Sequence, residues 1–291
     1  MLDCLIIGGG PAGLTAAVYL GRFRRKVQVI DGGQSRARLI PESHNYPGFM
    51  GVGGEELLRR LRAQAQQYGV PIENGIITSL GGNAQETFQA RAGAKVLSAR
   101  TVIMATGIVD NEPSLNIGDG DPRAVVRYCP ICDGYEAMDR TVAVLGGADA
   151  AAKACFLRTY TKDVRWFRGP MSGSSTSDKA QQLGITCLGQ AEQIATHPDG
   201  VEITTTDGAG HGADLLYPAL GCEVRSELAT ALGARCTPAE TLIVDAHQQT
   251  TVDGLYAIGD VVSDLHQLTV ATGHGALAAT AIHNRLPRNP R

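Results

Sequence analysis

A glycine-rich turn near the start of the chain restricts the possible fold more than any other stretch. The turn runs from Gly8 to Gly13 (GGGPAG) and lies between two apolar runs, Leu2 to Ile7 and Leu14 to Leu20. A further apolar run, Lys26 to Ile30, ends at the acid Asp31. Glycines at the first, third and sixth positions between a strand and a helix, with an acid about 20 residues later, are typical of a βαβ unit that binds a dinucleotide. The chain is therefore predicted to begin with such a unit.

Each glycine of the GxGxxG pattern has a predicted physical role. Gly8 allows the tight turn, Gly10 allows the backbone to approach a pyrophosphate, and Gly13 allows the helix to pack closely on the strand. The helix N-terminus supplies an anion site, and Asp31 is expected to bond a ribose hydroxyl. A GxGxxG turn alone is weak support, because it is also compatible with a tight turn that binds nothing. The strand, helix and acid that accompany it here favour dinucleotide binding.

A second strand–turn–helix pattern looks like an imperfect copy of the first. The apolar run Val142 to Leu145 enters the turn 146–151 (GGADAA), and a helix is predicted from Lys153 to Arg158. Ala148 stands where the second glycine would be, and the next strand, Asp163 to Phe167, is followed by Arg-Gly-Pro instead of an acid. The pattern is compatible with a second nucleotide site or with a plain βαβ turn that binds none. The residues that would form this second site are Gly146, Gly147, Asp149 and Arg168.

The run from Cys129 to Gly134 (CPICDG) is the other motif that carries chemistry. Its two cysteines are close enough to form a disulfide or to share a metal ion, and Asp133 directly follows the second cysteine. A zinc site needs about four ligands, but the sequence has one CxxC motif and no HxxxH motif near it. A CxxC pair near a βαβ pattern favours a redox dithiol, for which Asp133 would give or take the proton. Two unrelated core thiols are the remaining interpretation.

Length and composition limit the class of protein. The 291 residues suffice for about two domains, and a formal net charge of −3 gives no indication of nucleic-acid binding. Apolar runs stay well below the ~20 residues of a membrane span, and the N-terminus enters a strand without a leader-like segment. We therefore expect a soluble cytoplasmic protein without a metal site. The cysteines outside the CxxC motif are expected to be small buried apolar residues: Cys4, Cys155, Cys187, Cys222 and Cys236.

The remaining patterns indicate an α/β fold. Leucines at helical spacing predict an amphipathic helix from Glu55 to Tyr68, whose arginines are expected to face solvent. Alternating residues between Ile72 and Ala99 predict antiparallel hairpins. The Ser/Gly/Thr-rich segment 171–178 is expected to be a loop, and the segment 200–214 is polar and turn-rich. Further buried strands are predicted over 100–107, 215–221 and 255–260, and a closing helix over 268–284.

With these motifs, the chain resembles the low-molecular-weight thioredoxin reductases of the pyridine nucleotide–disulfide oxidoreductase superfamily. The resemblance implies two Rossmann-like domains of the three-layer ββα type, the second inserted in the first. It implies an FAD-binding domain over 1–112 and 216–291, and a nucleotide-binding-like insert over 113–215 that carries the CxxC motif. It also implies a homodimer. The matching pieces are Gly8 to Gly13, His44 to Phe49, Ala105 to Gly107, Cys129 to Gly134, Gly259 with Asp260, and Gln267 to Gly275.

The resemblance also implies roles for single residues. Cys132 would face the isoalloxazine ring, Cys129 would exchange with an external disulfide, and Asp133 would be the acid/base. Asp260 would bond the ribityl chain, and the alternative for this residue is a capping acid for the closing helix. The residues implied to hold FAD are Gly8, Gly10, Gly13 and Asp31 at its ADP half, and Asn45, Thr106, Gly259, Asp260 and Gln267 along the rest of the flavin.

The implied activity is an FAD-dependent exchange of two electrons between the flavin and the Cys129–Cys132 pair. The pair in turn would exchange with a disulfide or dithiol, either of a thioredoxin-like protein or of a small molecule. Electrons would run to the disulfide in a reductase, and from a dithiol to the flavin in a dithiol oxidase. Linkers near Pro113 and Asp214 would act as hinges. A flavin-bound redox sensor is the non-enzymatic alternative, although an intact dithiol beside an acid serves turnover more directly.

The second glycine turn departs from the NADPH-dependent members of this family. Those members have an intact turn and a His-Arg-Arg run after the following strand, whose arginines bind the 2′-phosphate. This chain has Ala148 in the turn and Arg168, Gly169 and Pro170 after the strand. It is therefore most similar to divergent members, some of which take electrons from ferredoxin or carry a second flavin in place of the nucleotide. The second ligand, NADP(H) or a second FAD, is left open.

Overall fold

The computed structural model describes residues 1–114, 116–117, 122–169 and 177–290. Within it the chain divides into two units. Unit 1 comprises Met1–Glu42, Tyr46–Val109 and Val224–Arg291, and unit 2 comprises Ser43–Asn45 and Asp110–Glu223. Pro170 and the segment 171–176 of the expected loop lie outside the described residues.

Strands and helices alternate along much of the chain, as in other α/β proteins. The strands are β1 (Leu2–Ile7), β2 (Val27–Asp31), β3 (Ile72–Asn74), β4 (Ser79–Asn83), β5 (Thr87–Ala92), β6 (Lys95–Met104), β7 (Ile108–Asp110), β8 (Asn116–Ile117), β9 (Val142–Gly146), β10 (Val164–Arg168), β11 (Cys187–His197), β12 (Gly200–Thr205), β13 (Gly210–Ala213), β14 (Leu215–Ala219), β15 (Cys222–Val224) and β16 (Leu255–Ala257). The α-helices are α1 (Pro11–Arg22), α2 (Gly54–Gln67), α3 (Pro130–Asp133), α4 (Ala148–Leu157), α5 (Asp178–Gln182), α6 (Glu227–Thr230) and α7 (Leu268–Arg285). Short 3₁₀-helices span Arg36–Leu39, Pro122–Ala124 and Gly259–Val261.

Unit 1 is built on a mixed sheet with the strand order β3-β2-β1-β6-β5-β4, and β16 also pairs with β6. The strands β3, β2, β1, β6 and β16 pair in parallel, whereas β6, β5 and β4 pair antiparallel. Cys4 and Ile6 on β1 share one buried cluster with Ala17 of α1 and Ala279 of α7. Helices therefore cover this face of the sheet. Leu5 and Ile7 on the other face are buried as well, so the strand is apolar at consecutive positions.

The predicted hairpins between Ile72 and Ala99 are confirmed for β4, β5 and β6. The prediction is wrong for β3, which pairs in parallel with β2 through Ile72 and Val29. The physical reason is that β3 follows helix α2 and is the return strand of a crossover connection, for which parallel pairing is the rule.

The parallel strands of unit 1 end at one edge of the sheet. Ile7, Met104 and Ala257 end β1, β6 and β16 in register, and Asp31 ends the neighbouring β2. In open α/β sheets, ligands bind outside the carboxyl ends of the strands. The predicted unit of β1, glycine turn, α1 and β2 is confirmed, and its turn opens at this edge.

Unit 2 repeats the parallel part of this plan. Its strand order is β13-β12-β11-β10-β9-β14, with β8 beside β11, and β11, β10, β9 and β14 pair in parallel. Alternate residues of β9 point to opposite faces: Val142 and Val144 join the cluster that contains α4, while Ala143 and Leu145 join a cluster with β12. Both faces are thus buried. The fold class is confirmed as α/β with two Rossmann-like units.

The segment 200–214 is polar and turn-rich in sequence, but it contains two strands. β12 and β13 lie within it and extend the sheet by antiparallel pairing. Val201 and Ile203 are fully buried, whereas Glu202 between them is exposed. The strand alternation is therefore present, but the surrounding threonines and glycines made the segment read as polar and turn-rich.

The cysteines outside the CxxC motif are less uniform than expected. Cys4 is buried, as predicted, but Cys155, Cys187, Cys222 and Cys236 are partly exposed. Burial of the other four is thus a wrong prediction, because apolar neighbours in sequence do not fix which side of an element a residue occupies. Of the helices that the structure describes, none is long and apolar enough to cross a membrane.

A buried arginine fastens the C-terminus of α7 to the segment after α1. The Arg25 guanidinium donates to His283 Nδ1 at 3.1 Å, to His283 O at 2.8 Å and to Pro287 O at 2.9 Å. The His283 ring stacks on Phe23 with centroids 4.4 Å apart. A cation that satisfies the last carbonyls of a helix is favourable both as a hydrogen-bond donor and against the helix dipole.

We expect Arg25→Met to lower the free energy of unfolding by about 2–4 kcal/mol, because buried carbonyls lose charged donors. Chemical denaturation of both proteins measures the change. Arg24→Met is the matched control, since Arg24 is the exposed neighbour in the same turn. Equal midpoints for the two variants would contradict a structural role for Arg25.

Candidate functional site

The glycine turn of unit 1 is shaped by two contacts that exclude any side chain. Gly8 has φ +112°, and a Cβ there would lie 2.2 Å from the carbonyl oxygen of Ala105, directly after the adjoining strand β6. A Cβ at Gly13 would lie 2.1 Å from the carbonyl oxygen of Gly8. Real Cβ atoms do not approach backbone this closely, so glycine is required at both positions. The two contacts hold the start of α1 against the end of β1.

Gly10 differs from the other two glycines because its missing side chain leaves open space. A Cβ at Gly10 would meet only Ser35 Oγ, at 3.3 Å. Gly10 is the N-cap of α1 and has no side chain to cap the helix, while Pro11 occupies the first helical position. The first turn carries apolar residues only. The N-terminal N–H groups and the positive end of the helix dipole therefore face a space suited to an anion.

The carboxylate of Asp31 is buried and lies directly over Gly9. A Cβ at Gly9 would be 2.3 Å from Asp31 Cγ. Asp31 Oδ1 accepts the backbone N–H of Gly33 at 2.9 Å, and Oδ2 forms a close ion pair with Arg62 of α2. Gly9 and Arg62 were both missed by sequence reasoning. The prediction that the arginines of α2 face solvent is wrong for Arg62, because it reaches back to a buried acid.

A cavity of about 1040 Å³ opens beside Asp31 in unit 1. Its size is sufficient for a nucleotide-sized ligand. Its lining includes arginine and glutamate residues of α2, together with residues of the glycine turn and from the ends of β2 and β3. The lining residues are Gly9, Asp31, Gly32, Gly33, Ser35, Arg38, Glu55, Glu56, Leu58, Arg59, Arg62, Asn74, Gly75 and Ile76.

Three of the other predicted flavin residues lie in unit 1 on segments that follow its parallel strands. Thr106 Oγ1 donates to the carbonyl oxygen of Arg225 at 2.6 Å. Gly259 has φ +77°, and a Cβ there would be 3.0 Å from the Cβ of Ala12 on α1. Asp260 Oδ2 lies 3.9 Å from Arg36 Nη1. These contacts connect the segments after β6 and β16 to neighbouring backbone and to a cation.

The alternative role of Asp260, as a cap for the closing helix, is wrong. Gln267 is the N-cap of α7, and the helix begins at Leu268. Asp260 lies in the preceding 3₁₀-helix, Gly259–Val261, where its carboxylate is oriented toward Arg36 instead. Gln267 is thus placed at the start of α7.

Asn45 lies in unit 2, unlike the other residues predicted to hold the flavin. It belongs to the short segment Ser43–Asn45 of unit 2. Its Nδ2 donates to the carbonyl oxygen of Ile131 at 3.4 Å, and the neighbouring His44 Nδ1 lies 3.0 Å from Glu136 Oε1. The structure therefore associates this segment with the CxxC motif.

Cys129 and Cys132 form a disulfide, with their Cα atoms 5.3 Å apart. Cys129 is the N-cap residue of α3 and Pro130 begins the helix, where its missing N–H has no cost. Gly134 ends the helix, and a Cβ there would lie 2.4 Å from Pro130 O and 2.6 Å from the Tyr160 ring. The turn that follows the motif is therefore sterically fixed. Within residues 1–114, 116–117, 122–169 and 177–290, no group of three or more His, Cys, Asp and Glu residues could hold a metal ion.

Asp133 is a half-buried acid held by two residues, one of which is distant in sequence. The hydroxyl of Tyr217 on β14 donates to Asp133 Oδ1 at 2.9 Å, and Arg127 Nε lies 3.2 Å from Oδ2. Burial raises the pKa of Asp133 from 3.8 to about 6, although the Tyr217 hydrogen bond and the Arg127 charge oppose the shift. Glu136 adds a smaller contribution that raises the pKa further. A carboxyl that titrates near pH 6 can exchange protons in the physiological range.

Tyr217, Arg127 and Lys153 were missed by sequence reasoning. Tyr217 is fully buried, and 84 residues separate it from Asp133. Lys153 Nζ donates to the carbonyl oxygens of Pro218 at 3.1 Å and Tyr128 at 3.4 Å. Two features of the sequence could have indicated them. Arg127 lies two residues before the CxxC motif, and Tyr217 is a tyrosine within the apolar run 215–219.

The second glycine turn makes the same close contact with a neighbouring strand as the first, but its helix begins at a different position. Gly146 has φ +147°, and a Cβ there would be 2.3 Å from Ala219 O, just as Gly8 contacts Ala105. The N-cap of α4 is Gly147 and the helix begins at Ala148. The position that corresponds to Gly10 is therefore inside the helix.

The chemistry of this second turn also differs. Ala151 occupies the position of Gly13 in the sequence pattern, and Asp149 lies in the first turn of α4, where a negative charge disfavours a bound phosphate. Leu145 pairs with Phe167 as Ile7 pairs with Ile30, so Arg168 occupies the position of Asp31. Of the four predicted residues, Gly146 and Gly147 shape the turn, whereas Asp149 and Arg168 have charges that differ from those of unit 1.

Comparisons with known proteins agree with the fold and with the motifs. The family model described as pyridine nucleotide-disulphide oxidoreductase matches residues 2–275. The chain is 31% identical to a thioredoxin reductase of Streptomyces coelicolor over 298 residues, which covers 95% of this chain and 91% of that protein. It is 29% identical to a thioredoxin reductase of Listeria innocua over 293 residues, which covers 95% of this chain and 91% of that protein.

Among solved structures, the thioredoxin reductase of Streptococcus pyogenes superposes with a TM-score of 0.87 at 25% identity, covering 98% of this chain and 97% of that one. The chain therefore belongs to the pyridine nucleotide–disulphide oxidoreductase family. Within that family it is similar to the thioredoxin reductases, so the resemblance stated from the motifs is confirmed. The expectation that the chain is an enzyme, a flavin-dependent disulfide oxidoreductase of the thioredoxin reductase-like class, is also confirmed.

The raised pKa of Asp133 predicts a stability that depends on pH. Between pH 3.8 and about 6, the folded protein binds more protons at this site than the unfolded chain does. Its free energy of unfolding should therefore fall as the pH rises through this window, by about 3 kcal/mol for this group. Asp133→Asn should remove this part of the pH dependence, which urea denaturation of the oxidised protein at pH 4 and pH 7 would measure. Asp199→Asn, at an exposed acid of unit 2, should leave it in place, and identical curves for the two variants would contradict the assignment.

Proposed function

We propose that the protein is an FAD-dependent dithiol/disulfide oxidoreductase in which Cys129 and Cys132 are the redox-active pair. Two electrons pass between flavin and this pair, and between the pair and the disulfide or dithiol of a thioredoxin-like protein or a small molecule. The observation that carries the proposal is the Cys129–Cys132 disulfide followed directly by a half-buried acid whose pKa is near 6. By resemblance to the family, the enzyme is proposed to act as a homodimer.

The residues of unit 1 fit the ADP half of FAD. The open space at Gly10 and the start of α1 suit a pyrophosphate, and the cavity beside Asp31 is large enough for the nucleoside. Asp31 retains acceptor capacity for a ribose hydroxyl, because a carboxylate has about four acceptor positions. When bound, FAD would accept and donate the two electrons that the cysteine pair exchanges. The residues proposed along the rest of the flavin are Asn45, Thr106, Gly259, Asp260 and Gln267.

The cysteine pair and its acid carry out the thiol chemistry. In the reduced state, the thiolate of Cys129 attacks an external disulfide and forms a mixed disulfide, which Cys132 resolves as the intramolecular disulfide forms again. Each thiol must lose a proton before it reacts, and Asp133 accepts or returns this proton near neutral pH. The assignment of Cys129 as the exchanging thiol and Cys132 as the flavin-side thiol follows the family.

The second glycine turn does not fit a pyrophosphate in the way the first one does. The helix starts one residue earlier, a side chain replaces the packing glycine at Ala151, and Asp149 places negative charge at the helix start. These features oppose NADP(H) and a second FAD alike, since both ligands carry a pyrophosphate. No step of the proposed reaction therefore passes through a ligand at this turn.

Replacement of Cys132 by serine should abolish electron exchange between dithiol or disulfide substrates and the flavin, while the bound flavin is retained. The physical reason is that the flavin residues of unit 1 are unchanged, whereas the intramolecular disulfide can no longer form. Stopped-flow absorbance of the flavin under anaerobic conditions measures the exchange. Cys155→Ser, at a partly exposed cysteine outside the motif, should behave as wild type. Retained electron exchange in Cys132→Ser would contradict the proposed redox pair.

Gly10→Ala should weaken flavin binding without unfolding the protein. A Cβ at Gly10 would meet only Ser35 Oγ in the protein itself, but it would occupy the space proposed for the pyrophosphate. We expect the dissociation constant for FAD to rise on the order of tenfold, equivalent to about 1.4 kcal/mol, as measured by fluorescence titration of the apoprotein. Gly81→Ala is the control, because a Cβ there meets open space on β4. Unchanged flavin affinity in Gly10→Ala would exclude this placement.

An anaerobic titration separates the possible electron donors and directions. Bleaching of the flavin by NADPH or NADH would support a nicotinamide-dependent reductase and overturn our interpretation of the second turn. Bleaching by a dithiol alone would support a dithiol oxidase. If none of NADPH, NADH and the dithiol reduces the flavin, and no disulfide is turned over, the redox sensor would be favoured over the enzyme.

A further inference from the structure

The Asp133 carboxylate is fixed at both oxygens by groups from separate parts of unit 2. Tyr217 donates to Oδ1 at 2.9 Å from the buried strand β14, and its hydroxyl also lies 3.3 Å from the Asp133 backbone carbonyl oxygen. Arg127 lies 3.2 Å from Oδ2 and precedes the CxxC motif by two residues. A carboxylate with both oxygens engaged has one orientation, whereas an acid that merely followed the motif would be free to rotate.

The electrostatic surroundings of this carboxyl include opposing contributions. The Tyr217 hydrogen bond and the Arg127 charge stabilise the carboxylate, while burial and the negative charge of Glu136 destabilise it. Helix α4 packs against α3 and brings a further cation into unit 2 near the motif. The charged and titratable groups that act on the carboxyl are thus Arg127, Tyr217 and Glu136 with its partner His44, and Lys153 of α4 bonds the backbone just before the motif, at Tyr128.

We propose that Tyr217 and Arg127 are positioning residues that hold the Asp133 carboxyl as the proton donor and acceptor for the Cys132 sulfur. This inference rests on the proposed function, because it assumes that the Cys129–Cys132 disulfide opens and closes in catalysis. It extends that function from the motif itself to a three-residue unit, in which Tyr217 comes from a strand distant in sequence and Arg127 from just before the motif.

The proton step can be written for reaction with an external dithiol. One thiolate of the dithiol attacks Cys129, the Cys129–Cys132 bond breaks, and the Cys132 thiolate takes the proton of the Asp133 carboxyl. The second thiol of the dithiol loses its proton to solvent, displaces Cys129 as a thiolate and closes the external disulfide, and the Cys129 thiolate then takes a proton from solvent. Two electrons and two hydrogen atoms have then passed from the dithiol to the cysteine pair, and Asp133 regains its proton from solvent. In the reverse direction the Asp133 carboxylate removes the proton from Cys132.

The experiment measures opening of the disulfide in the purified flavoprotein with dithiothreitol under anaerobic conditions. Reactions at pH 5 to 8 are quenched with an alkylating reagent, and the alkylated cysteines are counted by mass spectrometry while the flavin absorbance is followed. Rates are divided by the concentration of dithiothreitol thiolate, so that the reagent's own titration does not appear in the profile.

In the wild-type protein, the normalised rate should fall by on the order of 10- to 100-fold as the pH rises through about 6, because the protonated acid is lost. Asp133→Asn should remove the inflection. Tyr217→Phe and Arg127→Met should each move it upward by about half to one pH unit, because each removes a group that favours the carboxylate. Arg127→Lys should restore most of the wild-type position.

Matched controls separate positioning from general damage to the structure. Tyr160→Phe removes a hydroxyl from the neighbouring ring that contacts Gly134, and Arg140→Met removes an exposed charge nearby. Neither should move the inflection. An inflection that stays at the wild-type pH in both Tyr217→Phe and Arg127→Met would overturn the proposal, and so would an Asp133→Asn profile identical to wild type.

The same traces distinguish failure of this inference from failure of the proposed function. If the flavin bleaches in all proteins but the inflection does not move, the enzyme assignment stands and the positioning role is wrong. If the inflection moves as expected but the flavin never responds to opening of the disulfide, the positioning role stands and the flavin-linked function is wrong.

Discussion

The close approach of α1 to the carboxyl edge of the sheet is the contact on which the rest of unit 1 depends. Side chains at Gly8 and Gly13 would collide with backbone oxygens of Ala105 and Gly8, at 2.2 and 2.1 Å respectively. Because both obstacles are backbone, no side chain could move aside to relieve them. The helix start is consequently held beside the ends of β1, β2 and β6. Everything proposed about a bound nucleotide follows from that position: the anion site at the helix, the acid Asp31 at the end of β2, and the cavity between them and α2.

Unit 2 keeps the same strand contact with different charges. Gly146 contacts Ala219 as Gly8 contacts Ala105, so the requirement for glycine after the first strand is the same in both units. The charges at the two nucleotide-binding positions, however, are exchanged. In unit 1 the helix starts without an acid and the second strand ends in Asp31, whereas in unit 2 Asp149 lies at the helix start and Arg168 ends the second strand. Backbone packing can therefore preserve a Rossmann-like unit after the electrostatic conditions for its usual ligand have changed.

The parts of the molecule that could be predicted from the sequence are those in which neighbours in the chain are also neighbours in space. The β1–α1–β2 unit and the CxxC helix depend on spacing within about 30 residues, and both are present as expected. The contact of Arg62 with Asp31 joins residues that are 31 positions apart in the chain, and the contact of Tyr217 with Asp133 joins residues that are 84 positions apart. Neither pair has a local pattern, because each depends on how whole elements pack. β12 and β13 were missed for a different reason, since their alternation was masked by threonine and glycine.

The properties of Asp133 illustrate why this packing matters for function. A carboxyl that accepts a hydrogen bond and lies beside an arginine is ordinarily a stronger acid than one in water. Here burial outweighs both contributions and raises the pKa to about 6. Fully buried and unpaired, the same group would have a pKa raised too far to give up its proton readily, and fully exposed it would be ionised throughout the physiological range. Tyr217 and Arg127 limit the effect of burial without cancelling it. The acid beside the disulfide is thus suited to move protons in both directions, which a two-way exchange between thiols and a disulfide requires.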